Sequence, residues 1–96
     1  MVKSMNSIFI EECKAIAVES SFSSNWAIIE GMWELGKRIS EEEEFTLKNI
    51  KRLAYEIERD EEDIIRAILF YKKYPELNRL PGGKNISWYS ICEKYL

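Results

Sequence analysis

The chain has no histidine among its 96 residues. The commonest general base, the usual middle member of a catalytic triad and the commonest neutral metal ligand are therefore missing. There are only two cysteines, Cys13 and Cys92, 79 positions apart, with no CxxC. Zinc sites gather Cys, His and carboxylates at close spacing, so no structural zinc is expected. Two reduced, buried thiols of an intracellular protein are the simplest reading, although the separation alone leaves a disulfide open. Glycine (four) and proline (two) are scarce and punctuate the chain strongly only at Leu80-Pro81-Gly82-Gly83. That stretch, with Lys84, lacks the spacing of a phosphate loop and reads as a turn. No apolar run approaches the roughly 20 residues of a membrane span. The opening MVKSMNSIFIEECK carries Glu11 and Glu12 where a signal peptide stays apolar. No membrane, no cofactor and no metal are expected, no catalytic residue is assigned, and the location expected is cytoplasmic.

What is present is enough for a core. At 46% hydrophobic and 12% aromatic residues, a single domain over 1–96 is expected rather than disorder. A net charge of −3 argues against coating nucleic acid by bulk charge. The sign is uneven, however. Residues 1–44 hold four Lys/Arg against nine Asp/Glu, and residues 45–96 hold ten against eight. Any basic surface belongs to the second half.

The patterning is helical throughout. Asn6 or Ser7 caps a first segment with Ile8, Cys13, Ile16 and Ala17 near one face. The serine-rich run 20–24 allows that helix to continue or a new one to restart at Ser24. From Asn25 the period is clean. Trp26, Ile29, Trp33 and Gly36 are flanked by Ile28, Met32, Leu35 and Ile39, a stripe wide enough to pack on two sides. Gly36 costs about 1 kcal/mol against alanine inside a helix, which suggests a close approach by a neighbouring backbone. Glu41–Glu44 reads as an exposed helix end or a linker.

Thr46, with Asn49 in the place of a capping-box Glu or Gln, starts a helix with Leu47, Ile50, Leu53, Ala54 and Ile57 inward. Glu58 to Glu61 separate it from the next helix. Asp60 caps that helix, and Glu61, Glu62 and Asp63 suit its N-terminal dipole better than they suit a magnesium ion. Ile64, Ile65, Ile68, Leu69 and Tyr71 are its buried candidates, and Pro75 ends it. Ser87 caps a last helix with Trp88, Ile91, Cys92 and Tyr95 on its apolar face. Trp88 is expected to pack on Phe70 or Tyr71.

The fold class is thus all-α: about five helices in a helix-turn-helix-like bundle. Residues 1–44 form a long acidic helical region, 45–75 the helix-turn-helix-like pair, and 76–96 a turn and C-terminal helix.

Several of these segments together resemble a known family. Asn25…Trp33-Glu34-Leu35-Gly36-Lys37-Arg38-Ile39, Leu53-Ala54, Phe70-Tyr71…Tyr74-Pro75 and Ile86-Ser87-Trp88 are similar, in order and spacing, to the N-terminal domain of the YhcG-type PDDEXK nuclease family. The resemblance spans roughly residues 12 to 96 and implies a helix-turn-helix DNA-binding unit placed before a nuclease domain. Where the family usually has Ser, Asn-Leu and a basic residue in the fourth helix, this chain has Asp60, Asp63-Ile64 and Ile68. Where a Ser-His pair usually follows the Ser-Trp motif, it has Tyr89-Ser90. No nuclease carboxylates are expected within these 96 residues, so a separately encoded nuclease is the partner that the resemblance implies.

Cations that can converge on double-stranded DNA are Lys48, Lys51 and Arg52 before the turn, Arg59 in it, and Arg66, Lys72 and Lys73 after it. Lys and Arg supply the phosphate contacts that dominate affinity, whereas acid at the start of the second helix would be repelled by them. The expected function is a non-catalytic DNA-binding domain, with targeting or regulation as its role. The competing expectation is a helical protein-interaction or oligomerisation domain. A homodimer is expected on either reading, with Trp26, Ile29 and Trp33, the tryptophans seven apart, as its interface.

Overall fold

The computed structural model describes residues 7–21, 25–43, 45–80 and 86–96. Among them are five α-helices and no strand: α1 (Ser7–Ser21), α2 (Asn25–Glu41), α3 (Ile50–Ile57), α4 (Glu61–Lys73) and α5 (Trp88–Lys94). Single 3₁₀ turns lie at Leu47–Asn49 and Leu77–Arg79. The fold is an all-α bundle. The turn expected at 81–83 lies outside the described residues.

The serine-rich stretch separates two helices. Glu12 and Arg38 are 26 positions apart and would be about 39 Å apart on one continuous helix. Instead the Arg38 guanidinium reaches the Glu12 carboxylate at 3.4 Å and lies 4.9 Å from the centre of the Phe9 ring. The chain has therefore reversed, and α1 runs back along α2. Residues 22–24 lie outside the described residues.

The wide stripe of α2 is used on two sides, against α1 and against α4. Gly36 sits where α2 crosses α4. A methyl group added there would overlap the Ala67 carbonyl and crowd the Tyr71 Cβ. The close backbone approach suggested by a glycine in mid-helix is present, and Ala67 is its small counterpart.

Two apolar clusters result. The first gathers Phe9, Cys13 and Ala17 of α1, Met32, Leu35 and Ile39 of α2, the inner face of α3, and Ile64 and Ala67 of α4. The second joins Ile29, Phe70, Leu80 and Ile91, flanked by Trp26, Trp33, Tyr74 and Trp88. Trp88 meets Phe70 edge-to-face at 5.3 Å, as expected. The Trp33 indole N–H donates to the Tyr74 carbonyl at 2.8 Å, satisfying a backbone acceptor just past the end of α4.

The ends of the helices follow local chemistry. Asn49 Oδ1 accepts from the Thr46 backbone N–H at 2.9 Å and from its hydroxyl at 3.2 Å. Ser87 Oγ accepts from the Ser90 N–H at 3.1 Å. Asp60 stands at the N-cap position of α4 in extended geometry, but its carboxylate makes no capping bond. α3 closes in a Schellman arrangement: the Arg59 N–H reaches the Ala54 carbonyl and the Glu58 N–H the Tyr55 carbonyl. Glu58 takes the left-handed conformation, φ 57°, that glycine usually fills in such caps. Three residues, Glu58 to Asp60, therefore join α3 to α4, one fewer than the sequence pattern indicated, because Glu61 is already helical.

Several apolar residues are not where the pattern put them. The buried side chains of α4 are Ile64, Ala67 and Phe70. Ile65 and Leu69, expected in the core, are 42% and 51% exposed. Leu47 is 81% exposed on its 3₁₀ turn. In α1 the exposed residue is Ile8, and the neighbouring Phe9 is fully buried against Phe45 and Arg38.

Candidate functional site

α4 presents the most distinctive surface. Its inner face is consumed by α2, α3 and α5. Its outer face carries Glu61 and Glu62, then Ile65, Arg66 and Leu69, then Lys72 and Lys73. Acid at the first turn and base at the last complement the helix dipole, so the charge gradient has a structural cause. The apolar pair in its middle has none.

The cations assigned to DNA have different immediate surroundings. Lys48, Lys51 and Arg52 are exposed on or beside α3. The Arg59 guanidinium donates to the Ala17 carbonyl of α1 at 2.8 Å and so pins the turn to the first helix. Arg66 pairs with Glu62, one turn earlier, at 3.5 Å. Lys73 lies 5.8 Å from the centre of the Tyr74 ring. Lys72 stands at the rim of a shallow groove of about 310 Å³, beside Ile39, Phe45, Leu47 and Ile68. Asp63, Arg66, Phe70 and Lys73 share a helical stripe in sequence, but Phe70 has no exposed surface, so they do not form one continuous face.

A larger open groove, about 740 Å³, lies between α1, α3 and the turn. Lys14, Lys51 and Arg59 line it, but so do Glu56, Glu58, Asp60 and Glu61, which leaves no surplus of positive charge for a polyanion.

Trp26, Ile29 and Trp33 are taken up by the chain's own second cluster. Ile29 is fully buried, and both tryptophans are half-buried against it. Trp33 meets Tyr71 of α4 at 5.4 Å between ring centres, and Ile29 has no exposed surface. Part of the apolar surface that remains open, Ile65, Leu69 and Leu47, is at positions the sequence pattern places in the core. A period in hydrophobicity does not distinguish it from buried positions one step round the same helix.

The chain matches no family model, no curated protein and no solved structure. Among the described residues, no three Cys, Asp or Glu side chains gather as metal ligands. No helix there is long and apolar enough to cross a membrane.

Both cysteines are free. Cys13 is fully buried, whereas Cys92 is only partly so. Burial pushes the Cys13 thiol up to about 12, opposed by the Arg38 charge and reinforced by Glu12 and Glu42. Burial also raises Cys92. Above pH 9 the unfolded chain gives up a proton that native Cys13 keeps, so stability present below pH 9 is lost as pH rises toward 12. The slope for one such group is at most about 1.4 kcal/mol per pH unit. Urea titrations from pH 8 to 10.5 are expected to show this loss in the native protein and a shallower one in Cys13→Ala. Parallel profiles would remove Cys13 as the cause.

Proposed function

We propose that this chain is a non-catalytic helical interaction module that works through the outer face of α4. The observation that carries this reading is the exposed pair Ile65 and Leu69 at the centre of that face. Large apolar side chains left open side by side on one helix face, with charge around them, are typical of surfaces that meet another protein. The same face argues against docking in a DNA groove. A recognition helix touches bases near its N-terminus, and here that end offers Glu61 and Glu62 to the phosphates.

A second reading, binding to double-stranded DNA, is favoured by the three-residue turn between α3 and α4 and by exposed Lys48, Lys51 and Arg52. The likeness of the sequence to the YhcG-type N-terminal domain points the same way, and a separately encoded nuclease would be the partner on that reading. Fluorescence anisotropy with mixed-sequence duplex DNA separates the two. No saturable binding is expected at low salt. Binding that weakens steeply with salt and disappears in Lys51→Glu/Arg52→Glu would replace the interaction reading with the DNA one.

A further inference from the structure

Building on the interaction reading above, we infer that the partner of α4 is a second copy of this chain, docked antiparallel about a two-fold axis that crosses α4 at the level of Ala67. The outward line of the helix is Glu62, Ile65, Leu69 and Lys72, exposed positions spaced three, four and three apart. That spacing is the seam by which two helices pack side by side. It is also symmetric about position 67. Reversing the helix lays Lys72 of the second copy on Glu62, and Leu69 of the second copy on Ile65. The two-fold axis repeats both contacts, as an isologous interface requires. Parallel pairing would set Glu62 against its twin and Lys72 against its twin, and like charges at close range oppose it. The charge pattern therefore selects one orientation as well as one partner.

The surface beside the seam extends the same patch. Leu47 and Ile68 border Lys72 in the shallow groove. Leu47 is the most exposed of the large aliphatic side chains among the described residues. The apolar area is nonetheless small for a permanent dimer, so the association is weak and concentration-dependent. Arg66 lies on the flank and is already held by Glu62 within its own helix.

Sedimentation velocity on the full chain tests this with two charge reversals. The native protein is expected to shift from monomer to dimer as concentration rises at low salt. Glu62→Lys leaves two cations on the seam, and Lys72→Glu leaves two anions. Each variant alone is expected to lose about tenfold in dimer affinity, because two pairs turn from attraction to repulsion. An equimolar mixture of the two is expected to regain it as a mixed dimer. Leu69→Asp, also at an exposed position, is expected to be monomeric, with an unchanged circular dichroism spectrum. A native protein that stays monomeric at several hundred micromolar overturns the second copy and leaves α4 free for another protein. A dimer indifferent to all three variants overturns the α4 interface, and single losses without rescue on mixing overturn the antiparallel register. Failure of the interaction reading itself is seen separately, as DNA binding in the anisotropy titration.

Discussion

Replacing Phe70 with alanine is expected to cost about 3–5 kcal/mol, the range for removing a fully buried aromatic ring. Phe70 has no exposed surface and lies at the centre of the second cluster. Its ring meets Trp88 at 5.3 Å and Tyr74 at 5.9 Å, both near edge-to-face. It is therefore the side chain through which α4 holds α5. Small domains have only about 5–15 kcal/mol in total, so the variant should sit near the edge of unfolding at room temperature. Urea denaturation followed by tryptophan fluorescence gives the number. Tryptophan emission should change before the far-ultraviolet helix signal does, since Trp88 loses its Phe70 contact first. A cost below about 1 kcal/mol would mean that Phe70 does not anchor α5.

Gly36→Ala is expected to destabilise, against its intrinsic tendency. On an isolated helix the change gains about 1 kcal/mol. Here the new methyl group would overlap the carbonyl of Ala67, which is backbone and cannot rotate away. Either α2 and α4 separate or both bend, and overpacking of this kind costs about 1–3 kcal/mol, with backbone clashes at the upper end. A net loss of about 2 kcal/mol and a melting temperature lower by about 10 °C are expected. Thermal melts of Gly36→Ala and of Gly36→Ala/Ala67→Gly provide the check. The double variant should recover little, because the obstruction is the carbonyl of residue 67 and not its side chain. A more stable Gly36→Ala would mean that the helices do not cross at this point.

How much of this was legible depended on whether a residue's fate is set within one turn of chain. Thr46 with Asn49, and Ser87 with Ser90, form caps because side chain and backbone donor lie three residues apart. Gly36 announced a close approach because a glycine inside a clean helical period has few other uses. Trp88 on Phe70 was readable because a large aromatic on a short last helix needs an apolar neighbour. α4 was less readable. Ile64, Ile65, Ala67, Ile68, Leu69, Phe70 and Tyr71 surround the helix almost completely with apolar groups, so its periodicity cannot say which line turns inward. Phe9 was missed for a related reason: Ile8 fits the helical period equally well, and only the position of Phe45 and Arg38 makes residue 9 the buried one. The cations also look convergent along the sequence, yet Arg59 is spent on Ala17 and Arg66 on Glu62.

The sequence by itself determined an all-α chain, the caps at Thr46 and Ser87, and the charge gradient of α4, since these depend on interactions spanning a few residues. The tertiary structure alone decided which face of α4 meets solvent. The backbone of α2 reaches α4 only where Gly36 and Ala67 leave room. That contact turns Ile64, Ala67 and Phe70 inward, and leaves Ile65 and Leu69 outside between an acidic and a basic end.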